Sequence, residues 1–183
     1  MWKKKLNQRK KVRDKCLLPK LYDLGYQIEE IEFDHQQTVA KGRRKINISA
    51  DVVVKIEEQP AMVIVVRNGT EELTDHIKIQ ALSYARLLSD PAPIIILTNG
   101  LEQEVYDIYQ DKKLNSIPAK QKLSELIANN RQVPQHLKQK ALDNVFASVS
   151  LWDVTKHKSA YYTKAMRPYS SEGRGDAFNN AIF

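Results

Sequence analysis

Hydrophobic and polar positions along this chain follow a helical period, then a strand period, then a helical one again. Residues 4–24 place Leu6, Val12, Cys16, Leu17, Leu21 and Leu24 roughly on one side at helical spacing, with a basic opposite side and a stop at Gly25. From Tyr26 to about Val39 the spacing is strand-like, with Ile28, Ile31, Phe33 and Val39 between polar residues. AKGRRK follows as a loop, INISADVVVK (46–55) as a second strand, IEEQP as a turn and AMVIVV as a third strand. The third is apolar at every position, which predicts burial on both faces, and the short connection before it predicts an antiparallel pair.

TEELTDHIKIQALSYARLLS returns to a period of about 3.6, with Thr74 as its cap and Ile77, Ala81, Leu82, Tyr84, Ala85 and Leu88 as its apolar face. Pro91 and Pro93 close it, PIIILTNG reads as a fourth strand with a turn, and EVYDIYQD as a fifth paired with it. The order of helix, three strands, helix and two strands predicts an α/β fold whose mid-sheet helix crosses over between strands. From Asn115, AKQKLSELIANN and PQHLKQKALDNVFASVSLWD have helical spacing, the second opened by Pro134, and are expected at the periphery. The pattern fades after Asp153. The chain thus reads as a core over 1–114, a helical extension over 115–153 and a flexible basic, aromatic tail over 154–183. The RGD tripeptide in that tail (Arg174, Gly175, Asp176) is an adhesion motif only outside the cell, and no other feature points there.

Composition narrows the setting. At 183 residues and 42% hydrophobic, the chain has material for one core. Its one cysteine, Cys16, allows no internal disulfide and is expected to pack as a small hydrophobe in a reducing compartment. No apolar run approaches the roughly 18 residues of a membrane span, and no secretory signal is evident. A cytoplasmic location is the expectation.

Charge changes the picture more. The net charge is +7, and it is clustered. The N-terminal helix carries Arg9, Lys10, Lys11 and Arg13 among its basic residues, the loop after the first strand carries Lys41, Arg43, Arg44 and Lys45, and Lys156, His157, Lys158, Lys164 and Arg167 stand among tyrosines. Nucleic acid is the simplest partner for such a surface, because phosphates bind Lys and Arg with release of counterions. The six glycines form no phosphate loop, and the four histidines show no ligand spacing.

Asp51 is the informative acid. It lies in a strand of Val and Ile, where a carboxylate is costly unless paired or bound to a cation. Divalent-metal nucleases hold Mg²⁺ with such an acid, a second carboxylate on the next strand and a lysine two residues later on the same face.

The succession LYDLGYQIEEIEFD, RRKINISADVVV, PAMVIVV, LTDHIKIQALSYARLL and PIIILTNGLEQEVYD resembles the N-terminal nuclease domain of type I restriction enzyme R subunits, within the PD-(D/E)xK superfamily. The resemblance covers roughly residues 8–112 and implies a restriction-endonuclease-like mixed central sheet of about five strands flanked by helices. It implies that Asp51 is the metal-binding aspartate, and that Gln80 and Tyr84 are the Q-x-x-x-Y pair beside the active site. In the family the third strand runs into glutamate, any residue, lysine. Here it runs into Val66, Arg67 and Asn68, and no acid or lysine lies between Glu58 and Glu71, so no shift of register restores the motif. Lys10 and Lys11 stand where the family often has an acid in the first helix.

Mg²⁺ needs charge neutralisation as well as oxygen ligands, so a site reduced to Asp51, or to Asp51 with Glu32, would hold it poorly. Arg67 is therefore expected to pair with Asp51 in place of metal and lysine, and no cofactor is expected. The leading expectation is a DNA-binding, nuclease-like domain without metal-dependent cleavage, using Lys10, Lys11, Arg13, Lys41, Arg43, Arg44 and Lys45 on nucleic acid. One alternative is an active Mg²⁺-dependent endonuclease whose second carboxylate has migrated to Glu71, Glu72 or Glu32. Another is an assembly protein that keeps the fold for packing and docks a protein partner through its C-terminal helices and tail.

Overall fold

The computed structural model describes residues 8–128 and 132–147, all but one of them in a compact unit spanning Met1–Phe146. The tail over 154–183, its basic and aromatic cluster and its RGD tripeptide lie outside the described residues.

A six-stranded sheet in the order β1-β2-β3-β4-β5-β6 forms the centre. Its strands are β1 (Ile31–Lys41), β2 (Arg44–Ile56), β3 (Gln59–Val66), β4 (Ile94–Thr98), β5 (Gln103–Asp107) and β6 (Lys112–Leu114). Neighbours run antiparallel except β3 and β4, which are parallel because α2 (Asp75–Leu87) crosses between them. The expected five strands are present, and the three-residue β6 extends the sheet. It was too short to show a period.

Side-chain alternation sorts β3 into two cores. Met62, Ile64 and Val66 pack with Leu17, Leu21, Ile117 and Leu123 on one face, while Val63 and Val65 pack with Ala81, Leu82, Tyr84 and Ala85 of α2 on the other. The sheet is thus covered on both faces, as the all-apolar AMVIVV run of β3 required. Ile117 and Leu123, the latter in α3 (Lys120–Ala128), are buried in the first core, and Val133 and Leu137 join the second. The segment after Asn115, expected at the periphery, closes both cores.

Three local expectations are corrected. Helix is continuous from residue 8 in name only: a π-helical stretch, Arg13–Leu17, precedes α1 (Leu18–Asp23). Pro19 has no N–H to give Lys15, and the wider turn before it, closed by Leu18 N donating to Arg13 O, accommodates the ring. Tyr26 to Glu30 is not strand, because Gln27 N donates to Glu30 Oε2 at 2.9 Å in a capping box around a 3₁₀ turn, Ile28–Glu30. The loop AKGRRK shrinks to a two-residue turn at Gly42 and Arg43, with Gly42 at φ 59°. Thr74 does occupy the N-cap position of α2, without a side-chain capping bond. Among the described residues no helix is long and apolar enough to cross a membrane.

Candidate functional site

The site forms where β2 and β3 part. On a regular strand residues i and i+2 share a face, yet Phe33 and Val52 face the first core while Ala50 faces the second and His35 stacks edge-on against Tyr84 at 6.2 Å. Asp34, left-handed at φ 53°, makes this switch on β1. Asp51 makes it on β2, opposite. Beyond the last β2–β3 pair, Val52 with Ile64, the carboxylate takes over from the ladder: Val66 N donates to Asp51 Oδ2 at 2.8 Å. A buried N–H that the departing strand would leave unpaired is thereby satisfied.

Arg67 follows. Its backbone N donates to Thr98 O at 2.7 Å, which prolongs the β3–β4 ladder by one residue. Its Nη1 lies 3.6 Å from Asp51 Oδ2 and its Nε 4.0 Å from Glu71 Oε2, with the side chain only 17% exposed. The guanidinium thus sits between two carboxylates. Burial is the largest influence on it and lowers its pKa; Asp51 opposes that, Arg9 reinforces it and Glu71 opposes it. Alternate residues of β3 share a face, so the position paired with Arg67 is Val65, an apolar core residue.

Asn68 is buried and organises the turn beyond. Its Nδ2 donates to Glu71 Oε1 at 2.6 Å, and its Oδ1 accepts from Thr70 N at 3.0 Å. The T-N-G turn braces the same loop, with Asn99 Nδ2 donating to Glu71 O at 2.9 Å. The N-terminal helix packs closely on that turn: a Cβ at Gly100, which is at φ 90°, would come within 3.1 Å of Val12 Cγ1. This contact delivers Arg9, whose Nη2 is 3.6 Å from Glu71 Oε2. Arg9 Nε is buried and has no hydrogen-bond partner among the described residues.

Other predicted residues lie apart from this quartet. Glu32 accepts from Lys55 Nζ at 2.7 Å and contacts His35 Nδ1 at 2.7 Å, and lines an acidic groove with Glu29, Glu30, Glu57 and Glu58. Asp51 and Glu32 have no partner in common, and no group of three or more metal-capable acids, histidines or cysteines occurs among the described residues. Tyr84 is buried, its OH donating to His35 O at 3.2 Å; burial, then the Glu32 charge, raises its pKa. Gln80, one turn earlier on α2, is exposed.

Of the predicted nucleic-acid residues, Lys10, Lys11, Arg43 and Lys45 are exposed. Arg13 lies over the Phe33 ring at 4.4 Å and donates to Asp14. At the β1–β2 hairpin tip Lys41 Nζ contacts Asp143 Oδ1 at 2.6 Å, and Arg44 lies 5.8 Å from the Phe146 ring, both partners on the helix over residues 135–147.

Sequence reading named Asp51 and Arg67 but not the pairing of Arg9 with Glu71. The donor set, Asp51 tied to a backbone N–H and separated from Glu71 by a guanidinium, does not fit a Mg²⁺ site as arranged.

Comparison with known proteins gives one family and one fold. The family model described as the type I restriction enzyme R protein N terminus (HSDR_N) matches residues 9–119. No curated protein matches the chain. A solved fragment described as an HsdR subunit of a type I restriction enzyme from Vibrio vulnificus YJ016 is similar in fold, with a TM-score of 0.52 and 19% identity. The match covers 67% of this chain and 25% of that one, so the chain spans about a quarter of its structural relative.

Proposed function

This chain belongs to the family of type I restriction enzyme R protein N termini, and on that premise we propose that it binds DNA through a nuclease-like fold without metal-dependent cleavage. The observation that carries this reading is Arg67 at 3.6 Å from Asp51, with apolar Val65 on the strand face where a second carboxylate would stand. A guanidinium there neutralises Asp51 without a metal. What remains at the strand exit is a cation suited to phosphate, with no metal to activate water.

The same arrangement favours one second reading. Asp51 and Glu71 flank one guanidinium, so a displaced Arg67 would leave two carboxylates facing a common space, and a divalent ion there would supply water activation. Incubating the protein with plasmid DNA and Mg²⁺ or Mn²⁺ separates the two. The expected result is binding without nicking. Cleavage that both Asp51→Ala and Glu71→Ala abolish would establish the second reading and sink the first. The assembly reading, a protein partner docked through the C-terminal helices and tail, falls partly on residues outside those described.

A further inference from the structure

Two arginines from distant parts of the chain converge on one carboxylate oxygen. Arg9 Nη2 is 3.6 Å and Arg67 Nε 4.0 Å from Glu71 Oε2. Both distances exceed a hydrogen bond, so neither guanidinium is locked onto the acid. Arg67 makes one long side-chain bond, Nη1 to Val66 O at 3.4 Å, and Arg9 Nε is buried with no hydrogen-bond partner among the described residues. Each guanidinium has five N–H donors in a planar fork suited to an oxyanion. Among the described residues, donors here outnumber close acceptors.

Glu71 itself is fixed from the other side. Its Oε1 accepts from Asn68 Nδ2, its backbone N donates to Asn68 O and its backbone O accepts from Asn99. The acid is therefore anchored to the turn through Oε1 and its backbone, while Oε2 faces the two arginines. Asp51 spends Oδ2 on Val66 N, so it too is held back.

We propose that Arg9 and Arg67 form a seat for one phosphate group, the backbone phosphodiester of a nucleic acid, with Glu71 as the built-in competitor for that seat. This deepens the DNA-binding reading and rests on it for the source of the phosphate. The phosphate oxygens satisfy Arg9 Nε and complete both forks. Glu71 sets the affinity: it keeps the paired cations tolerable when the seat is empty and weakens the hold on phosphate when it is full.

The test uses the full chain, a short duplex DNA and inorganic phosphate as probes. Binding to the duplex is followed by fluorescence anisotropy across a salt series, and the arginine Nε–H signals by NMR. Arg9→Ala is expected to weaken duplex binding about tenfold and to lower the salt slope by about 0.9, the share of one phosphate. Arg9→Lys, which keeps the charge but not the fork, is expected to recover the slope and only part of the affinity. Glu71→Gln keeps an oxygen for Asn68 and removes the competing charge, so it is expected to tighten binding severalfold, which a structural role alone would not do. Both arginine Nε–H signals are expected to shift with duplex. Duplex binding unchanged in Arg9→Ala, with neither signal moving, overturns the seat and leaves the DNA reading standing. No duplex binding at any salt, with both signals shifting on inorganic phosphate, overturns the DNA reading and reassigns the seat to a free phosphate. No response to either probe overturns both.

Discussion

The exit of β3 and the tip of the β1–β2 hairpin are both basic, yet their charges sit in opposite circumstances. At the strand exit Arg67 is 17% exposed and faces Asp51 and Glu71, and Arg9 faces Glu71 as well. At the tip Arg43 and Lys45 are exposed with no ion pair among the described residues, and Lys41 meets Asp143 in the open. The difference teaches that positive charge alone does not define a role. A half-buried cation must be matched to be tolerated, so it becomes part of the architecture; an exposed one costs little and remains available to a polyanion.

The largest effect expected from this contrast is at Asp51. Asp51→Ala removes the acceptor of Val66 N and takes one of the two carboxylates from a mostly buried guanidinium, which should destabilise the fold by about 2–3 kcal/mol. Chemical denaturation measures it; a loss within experimental error would mean that the strand exit is as loose as the tip. Next comes the reversal Arg43→Glu with Lys45→Glu, expected to lower duplex affinity about tenfold while leaving the denaturation midpoint in place, since exposed charges add to counterion release and little to folding. An unchanged affinity would remove the tip from the DNA surface. Smaller still, Lys41→Ala should leave the denaturation midpoint almost unmoved, because exposed ion pairs contribute little to folding.

The smallest effect is a pH dependence at Glu32. The Lys55 hydrogen bond first, and the His35 bond second, hold its carboxyl below the usual range. A depressed carboxylate contributes stability above its unfolded pKa and loses it as pH falls through the folded one. The stability gap between the protein and Glu32→Gln should therefore be present near neutral pH and close in acid. A gap that stays constant down the acid limb would show that Glu32 is held by something other than its charge.

Much of this fold is legible in the sequence. The period-two runs around Asp51 and the all-apolar AMVIVV mark β2 and β3, and the turn to a 3.6 period at Thr74 marks α2. Where reading failed at the N-terminal side, local hydrogen bonding and backbone chemistry decided. The Gln27–Glu30 capping box overrode a strand-like pattern, and Pro19 split a helix whose apolar face looked continuous. Asp51 and Arg67 stood out because a charge in a buried strand needs a reason. Arg9 did not, because an arginine among lysines gives no local sign that the T-N-G turn, ninety residues away in sequence, will draw its helix against Glu71.

The single parallel junction, β3 with β4, has a consequence in time. Its neighbours on both sides are antiparallel ladders, most joined by tight turns, but β3 and β4 meet only after residues 67–93 have been closed into a loop containing α2. Contacts of that sequence separation are slow to form, because closure entropy is lost before any pairing repays it. Two locally formed halves should therefore join late, and the bond from Arg67 N to Thr98 O lies on the seam. Mutations along the seam are expected to speed unfolding more than they slow folding, which stopped-flow kinetics reads; the reverse would place the junction in the folding nucleus. A site built on the last seam to close exists only in the finished molecule, so partly folded chains carry the basic segments without the means to hold a phosphate in place.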